Sequence, residues 1–120
     1  MSATETKAAI RSAVERIEAE VPALAQLTLV MRLQLEARGG DAPIWRVEVP
    51  GPLVTKDPAT DARIDITVGR PEFNELAREG SLRQWIEAYR RGHVKVTGDP
   101  AVVRLLGNVI ERRMASLGPS

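Results

Sequence analysis

His93 is the only histidine in the chain, so imidazole catalysis or a histidine-held metal would have to be built around it. Nucleophile and metal motifs supply partners at fixed spacings, and neither G-x-S-x-G nor H-E-x-x-H occurs here. His93 opens the short run HVKVT beside Gly92, a position that reads as partly exposed. Asp57, Asp61 and Asp65 recur every fourth residue, which would place three carboxylates on one helix face. Pro58 and the alternation of ARIDITV rule out that helix, and the spacing does not fit a calcium loop. These aspartates read as solvated loop and strand-face charges. Gly39 and Gly40 follow one strand pattern and precede another, which is hairpin chemistry and not a phosphate loop. Arg83, Arg90, Arg91 and Lys95 form a basic cluster. It reads as charge at a helix C-terminus and solvated surface. A second reading is transient contact with an anionic membrane. No catalytic residue, metal or cofactor is expected.

Chemistry gives way to apolar patterning, and the patterning defines the elements. Ile10, Val14, Ile17 and Val21 form one helical stripe, and Ser2 with Glu5 has capping-box spacing. From Leu27 the period changes to two. Leu29, Met31, Leu33 and Leu35 share a face, as do Trp45, Val47 and Val49 after the Gly39-Gly40-Asp41 turn. A short run at 53–55 between prolines suits a sheet edge. Ala62, Ile64, Ile66 and Val68 alternate with Arg63, Asp65 and Thr67. Pro71 suits a first helical turn and Gly80 a stop. Ser81 with Gln84 is a second capping box, and Gly92 ends its helix. Asp99 and Pro100 open the last helix, with Val102, Val103, Leu106, Val109, Ile110 and Met114 on a broad stripe. The expected helices lie near 5–21, 71–79, 82–91 and 100–115. The expected strands lie near 27–37, 44–50, 53–55, 62–68 and 93–97.

Composition bounds the reading. A chain of 120 residues fits a single domain over 1–120, and 43% hydrophobic with 28% charged residues is ordinary for a globular protein. A net charge of +1 gives no basic field for nucleic acid. The absence of cysteine removes disulfides and thiolate chemistry. Charges recur every few positions in the first twenty residues, which does not read as a signal peptide, and no stretch approaches the roughly 18 apolar residues of a membrane span. A cytoplasmic, soluble protein is expected.

ARIDITV followed by PEF-x-x-L, and then HVKVTGDPAVVRLLGNVI, resemble the sterol carrier protein two domain, the non-specific lipid-transfer family. Gly92, Val94, Val96, Gly98 and Asp99 occupy that family's glycine–hydrophobic–glycine–acid positions, and the likeness covers about residues 8 to 115. The resemblance implies an α+β fold, a five-stranded sheet with helices covering one face and an apolar tunnel between. It implies a lipid ligand of sterol, fatty acyl or isoprenoid type, with no catalytic residue, metal or cofactor.

The expected tunnel lining is Phe73, Leu76, Trp85 and Ile86 opposite Leu106 and Ile110. The same residue types would also serve a closed core. The same resemblance implies a second reading, an accessory or dimerisation module with a closed core, docking as a homodimer or on a lipid- or quinone-metabolising enzyme.

Overall fold

The computed structural model describes residues 3–36, 43–49 and 51–116. α1 (Ala3–Glu20) leads through a 3-10 turn (Pro22–Gln26) into β1 (Leu29–Glu36), β2 (Ile44–Val49) and β3 (Leu53–Thr55). β4 (Ile64–Gly69), α2 (Arg70–Glu79), α3 (Leu82–Arg90), β5 (Val94–Gly98) and α4 (Pro100–Ser116) follow. The Ser2 capping box, the Gly39-Gly40-Asp41 turn and Pro50 lie outside the described residues.

Alternating side chains make a sheet with one dry face. Its order is β3-β2-β1-β4-β5. β1 pairs antiparallel with β2, Leu33 opposite Trp45, and parallel with β4, Leu33 opposite Ile66. β5 returns antiparallel to β4, with Val68 opposite Val94. The register puts the inward residues of all five strands on one face, and the four helices supply the rest of two apolar clusters on that face. The opposite face carries Arg32, Arg46, Glu48 and Asp65. A sheet wet on one side explains why its strands alternate rather than run continuously apolar.

Local chemistry sets the helix ends. Pro22 cannot continue α1 and instead opens the 3-10 turn. Ser81 and Gln84 cap α3 reciprocally: the Gln84 N–H donates to Ser81 Oγ at 3.4 Å, and the Ser81 N–H to Gln84 Oε1 at 2.7 Å. Gly92 has φ +83°, the left-handed stop that glycine adopts without strain. Gly80 ends α2 as expected. It is extended, with φ −69° and ψ 121°, and its N–H bonds Leu76 O at 2.7 Å. Glycine is needed there for space, since a Cβ would sit 2.4 Å from that same oxygen. Asp99 opens α4 as expected, its Oδ1 accepting the Ala101 N–H at 2.9 Å.

Candidate functional site

Strand direction divides the covered face into two ends. At one end Leu35, Trp45, Val68 and Val94 meet α1 and α2, with Ile10, Ala13, Phe73 and Ala77 filling the space between. Phe73 is 1% exposed and Leu35 fully buried, so this end is a packed core. At the other end Leu29, Val49 and Ile64 meet Val102, Val103 and Leu106 of α4.

Between the two clusters lies a seam. Val14 of α1, Met31 of β1, Ile66 of β4 and Val96 of β5 each pack against both clusters, and each stays only half-buried. β1 and β4 are interior strands, where a helical layer should shield side chains most fully. α4 packs Val102, Val103 and Leu106 against the second cluster, and hydrogen bonds fix it near both ends. Its N-terminal end is fixed by the Asp99 N–H on Arg63 O at 2.9 Å. Near its C-terminal end Arg113 Nε bonds Glu20 O. None of its seventeen residues is buried, although seven are large and apolar.

The expected lining residues distribute unevenly. Phe73, Leu76 and Trp85 come together in the packed cluster, with the Phe73 and Trp85 rings edge to face at 6.4 Å and 67°. Leu106 lies across the seam in the second cluster. Ile86 and Ile110 are half-buried and join neither cluster. The seam residues Val14, Met31, Ile66 and Val96 were not among the expected lining. Alternation marks the three strand residues as inward, but it carries no signal of which inward residues a helix leaves uncapped.

Two surface depressions lie elsewhere. One of about 310 Å³ is bordered by Glu75, Leu76, Arg78, Gly80 and Gln84. One of about 480 Å³ runs between α1 and α2, with Ala8, Ser12, Arg16 and Asn74 among its borders. Neither includes a seam residue.

The chemical candidates are occupied by structural roles. Asp61 pairs with Arg46, and Arg46 also bonds Glu48 Oε2 at 2.9 Å and Pro58 O at 3.1 Å. The Arg46 hydrogen bond holds the Asp61 carboxyl below its ordinary range, and Asp61 and Glu48 together raise the guanidinium further. Arg32 pairs with Asp65 across β1 and β4, which likewise raises Arg32. Asp57 lies in the loop, its N–H on Thr55 Oγ1 at 3.3 Å. His93 is half exposed, its Nδ1 3.9 Å from Glu72 Oε1. Arg91 pairs with Glu87 along α3 at 3.0 Å, and Arg83, Arg90 and Lys95 are exposed. No cluster of three metal-ligating side chains occurs among the described residues. Nor is any helix among them long and apolar enough to cross a membrane.

A scan against protein-family models finds no match, and no curated protein matches the chain in sequence. Solved structures do match in fold. The solution structure of palmitated SCP2L2 from Aedes aegypti aligns with a TM-score of 0.57 at 20% identity, covering 84% of this chain and 93% of that one. The crystal structure of Sterol Carrier Protein 2 Like 2 from the same organism gives 0.56 at 19%, covering 87% and 98%. The ubiquinone synthesis protein UbiJ-SCP2 gives 0.52 at 20%, covering 92% and 93%. The chain therefore has the sterol carrier protein 2 fold, a five-stranded α+β arrangement with helices on one face of the sheet.

Proposed function

We propose that this chain, as one domain over residues 1–120, binds or carries a hydrophobic lipid of sterol, fatty acyl or isoprenoid type in an apolar tunnel between sheet and helices. The observation that carries the reading is the half-buried seam of Val14, Met31, Ile66 and Val96 beneath an α4 with no buried residue. Apolar side chains left half-wet in the middle of a domain gain by being covered, at about 25 cal/mol per Å². A lipid chain between α4 and the sheet would cover them. Phe73, Leu76, Trp85 and Ile86 then stand on one side of the ligand and Leu106 and Ile110 on the other. The fold likeness to a palmitated sterol carrier structure supports the same reading.

Binding of this kind is transfer of hydrocarbon out of water, about 0.8 kcal/mol per buried methylene. Aliphatic walls discriminate shape weakly, so selectivity would be low. The proposed role includes no catalytic step and no cofactor. His93 stands half exposed beside Glu72, a placement that suits a surface imidazole and not a sheltered base.

The fold likeness to UbiJ-SCP2 favours one second reading, an accessory module docked to a partner enzyme, with a core that closes without ligand. Native mass spectrometry of freshly purified protein separates the two. Lipid carriage predicts a co-purified mass in the lipid range, or uptake of added palmitate or cholesterol. A lipid-free protein that takes up neither contradicts it and favours the docking module.

A further inference from the structure

An open sheet has two edge strands, and each presents a row of unpaired backbone N–H and C=O groups. Here the edges are β3 and β5. β3 has three residues and lies against α1. β5 has five, Val94–Gly98, and pairs on one side alone, with β4. No other backbone hydrogen bond reaches those five residues among the described ones. Most of the strand is open to solvent: Lys95, Thr97 and Gly98 are exposed and Val96 is half-buried.

Positive charge is concentrated at this same edge. α3 and α4 flank β5 in sequence, and each contacts β5 more than any other element. This α3–β5–α4 unit, residues 82–116, holds seven Lys and Arg against three Asp and Glu, whereas residues 1–81 hold ten against thirteen. Two of its three acids are engaged, Glu87 with Arg91 and Asp99 in the cap of α4. Arg83, Arg90, Lys95, Arg104 and Arg112 are exposed and have no ion pair among the described residues.

The open backbone and the charge together select an occupant. A bilayer does not fit, because unpaired backbone groups are not tolerated in hydrocarbon. A second copy would set two edge lysines and two net-positive units against each other, which is how edge strands avoid pairing with themselves. An extended acidic polypeptide meets both features: its backbone pairs with the open N–H and C=O groups, and its carboxylates meet the cations.

We infer that the β5 edge docks an acidic, extended segment of a partner protein, added to the sheet as a sixth strand. Alternation sets the pattern of that segment. Its side chains beside Lys95 and Thr97 lie on the wet face and are acidic, and those beside Val96 lie on the helix side and are apolar. The inference goes beyond lipid carriage and does not depend on it.

The test titrates the full chain with a short peptide that alternates glutamate and valine, at low and high salt. Its comparisons are a lysine–valine peptide, the glutamate–valine peptide N-methylated along its backbone, and phosphatidylglycerol vesicles. The expected result is binding of the acidic peptide, weakened by salt, with amide exchange slowed in β5. N-methylation should remove that binding. Lys95→Glu changes an exposed side chain and should weaken it about ten-fold, and the lysine–valine peptide should bind at least about ten-fold more weakly. Binding that survives N-methylation would show contact by charge without strand addition, and would overturn the inference. So would no binding of the acidic peptide, equal binding of the two peptides, or protection confined to residues outside β5. Self-association of the chain through β5 would overturn it in favour of a second copy. Exchange in β5 slowed by the vesicles but not by the acidic peptide would overturn it in favour of a membrane. Each of these results would leave lipid carriage standing.

Discussion

Arg113 Nε donates to the backbone carbonyl of Glu20 at 2.5 Å, joining the end of α4 to the end of α1 across 93 residues of sequence. The Glu20 carboxylate meanwhile accepts the Leu82 N–H at 2.7 Å and so caps α3. One residue thus holds the ends of three helices, and α4 lies between this latch and the Asp99–Arg63 anchor. Between those points its side chains rest on the sheet without being buried.

Arg113→Met keeps the aliphatic stem and removes the donor. It should cost about 1–2 kcal/mol, the range for a partly buried charge-assisted bond. Amide exchange along α4 should quicken, and bound lipid should leave faster than from the parent protein. Stopped-flow release of a fluorescent fatty acid and urea denaturation check both parts.

Truncations should separate the packed half from the seam. Phe73→Ala removes a fully buried ring and should cost about 3–5 kcal/mol. Ile110→Ala removes a half-buried side chain outside both clusters and should cost less than about 1.5 kcal/mol. Lipid affinity or chain-length preference should change in Ile110→Ala instead. Equal losses of stability in the two variants would show that α4 is ordinary core.

The legibility of the chain follows from what periodicity encodes. Period two marked the inward residues of β1, β2 and β4, and the capping pair Ser81 and Gln84 marked the start of α3. Helix spacing placed α2 and α4 to within a residue or two. Parallel pairing of β1 with β4 has no such signature, because alternation gives a face and not a neighbour. The seam was hidden for a related reason. Ile66 and Ile64 are the same residue type two positions apart on one strand face, yet Ile64 is fully buried and Ile66 is not. The packing of the helical layer decides between them, and alternation does not encode it. Gly80 was legible as a helix end but not as extended, since its need for glycine comes from the approach of Leu76 O.

Asp61 should carry a small acid dependence of stability. Its folded carboxyl lies below the unfolded value because Arg46 hydrogen-bonds its charged form. Stability from such a group is present above the unfolded pKa, about 4, and is lost as pH falls through the lower folded value. Asp61 is exposed, so the effect should be modest and screened by salt. Arg46→Met should therefore flatten the fall in urea midpoint below about pH 4 and leave its pH dependence near neutrality unchanged.

The central claim is that lipid lies along the seam. Intermolecular nuclear Overhauser effects between carbon-13-labelled palmitate and the protein methyl groups test it most directly. The account predicts contacts from the palmitate chain to Met31, Ile66 and Val96 on the sheet and to Leu106 on α4. Contacts confined to outer surfaces such as the groove of Ala8, Ser12 and Asn74, with none to those four residues, would contradict it.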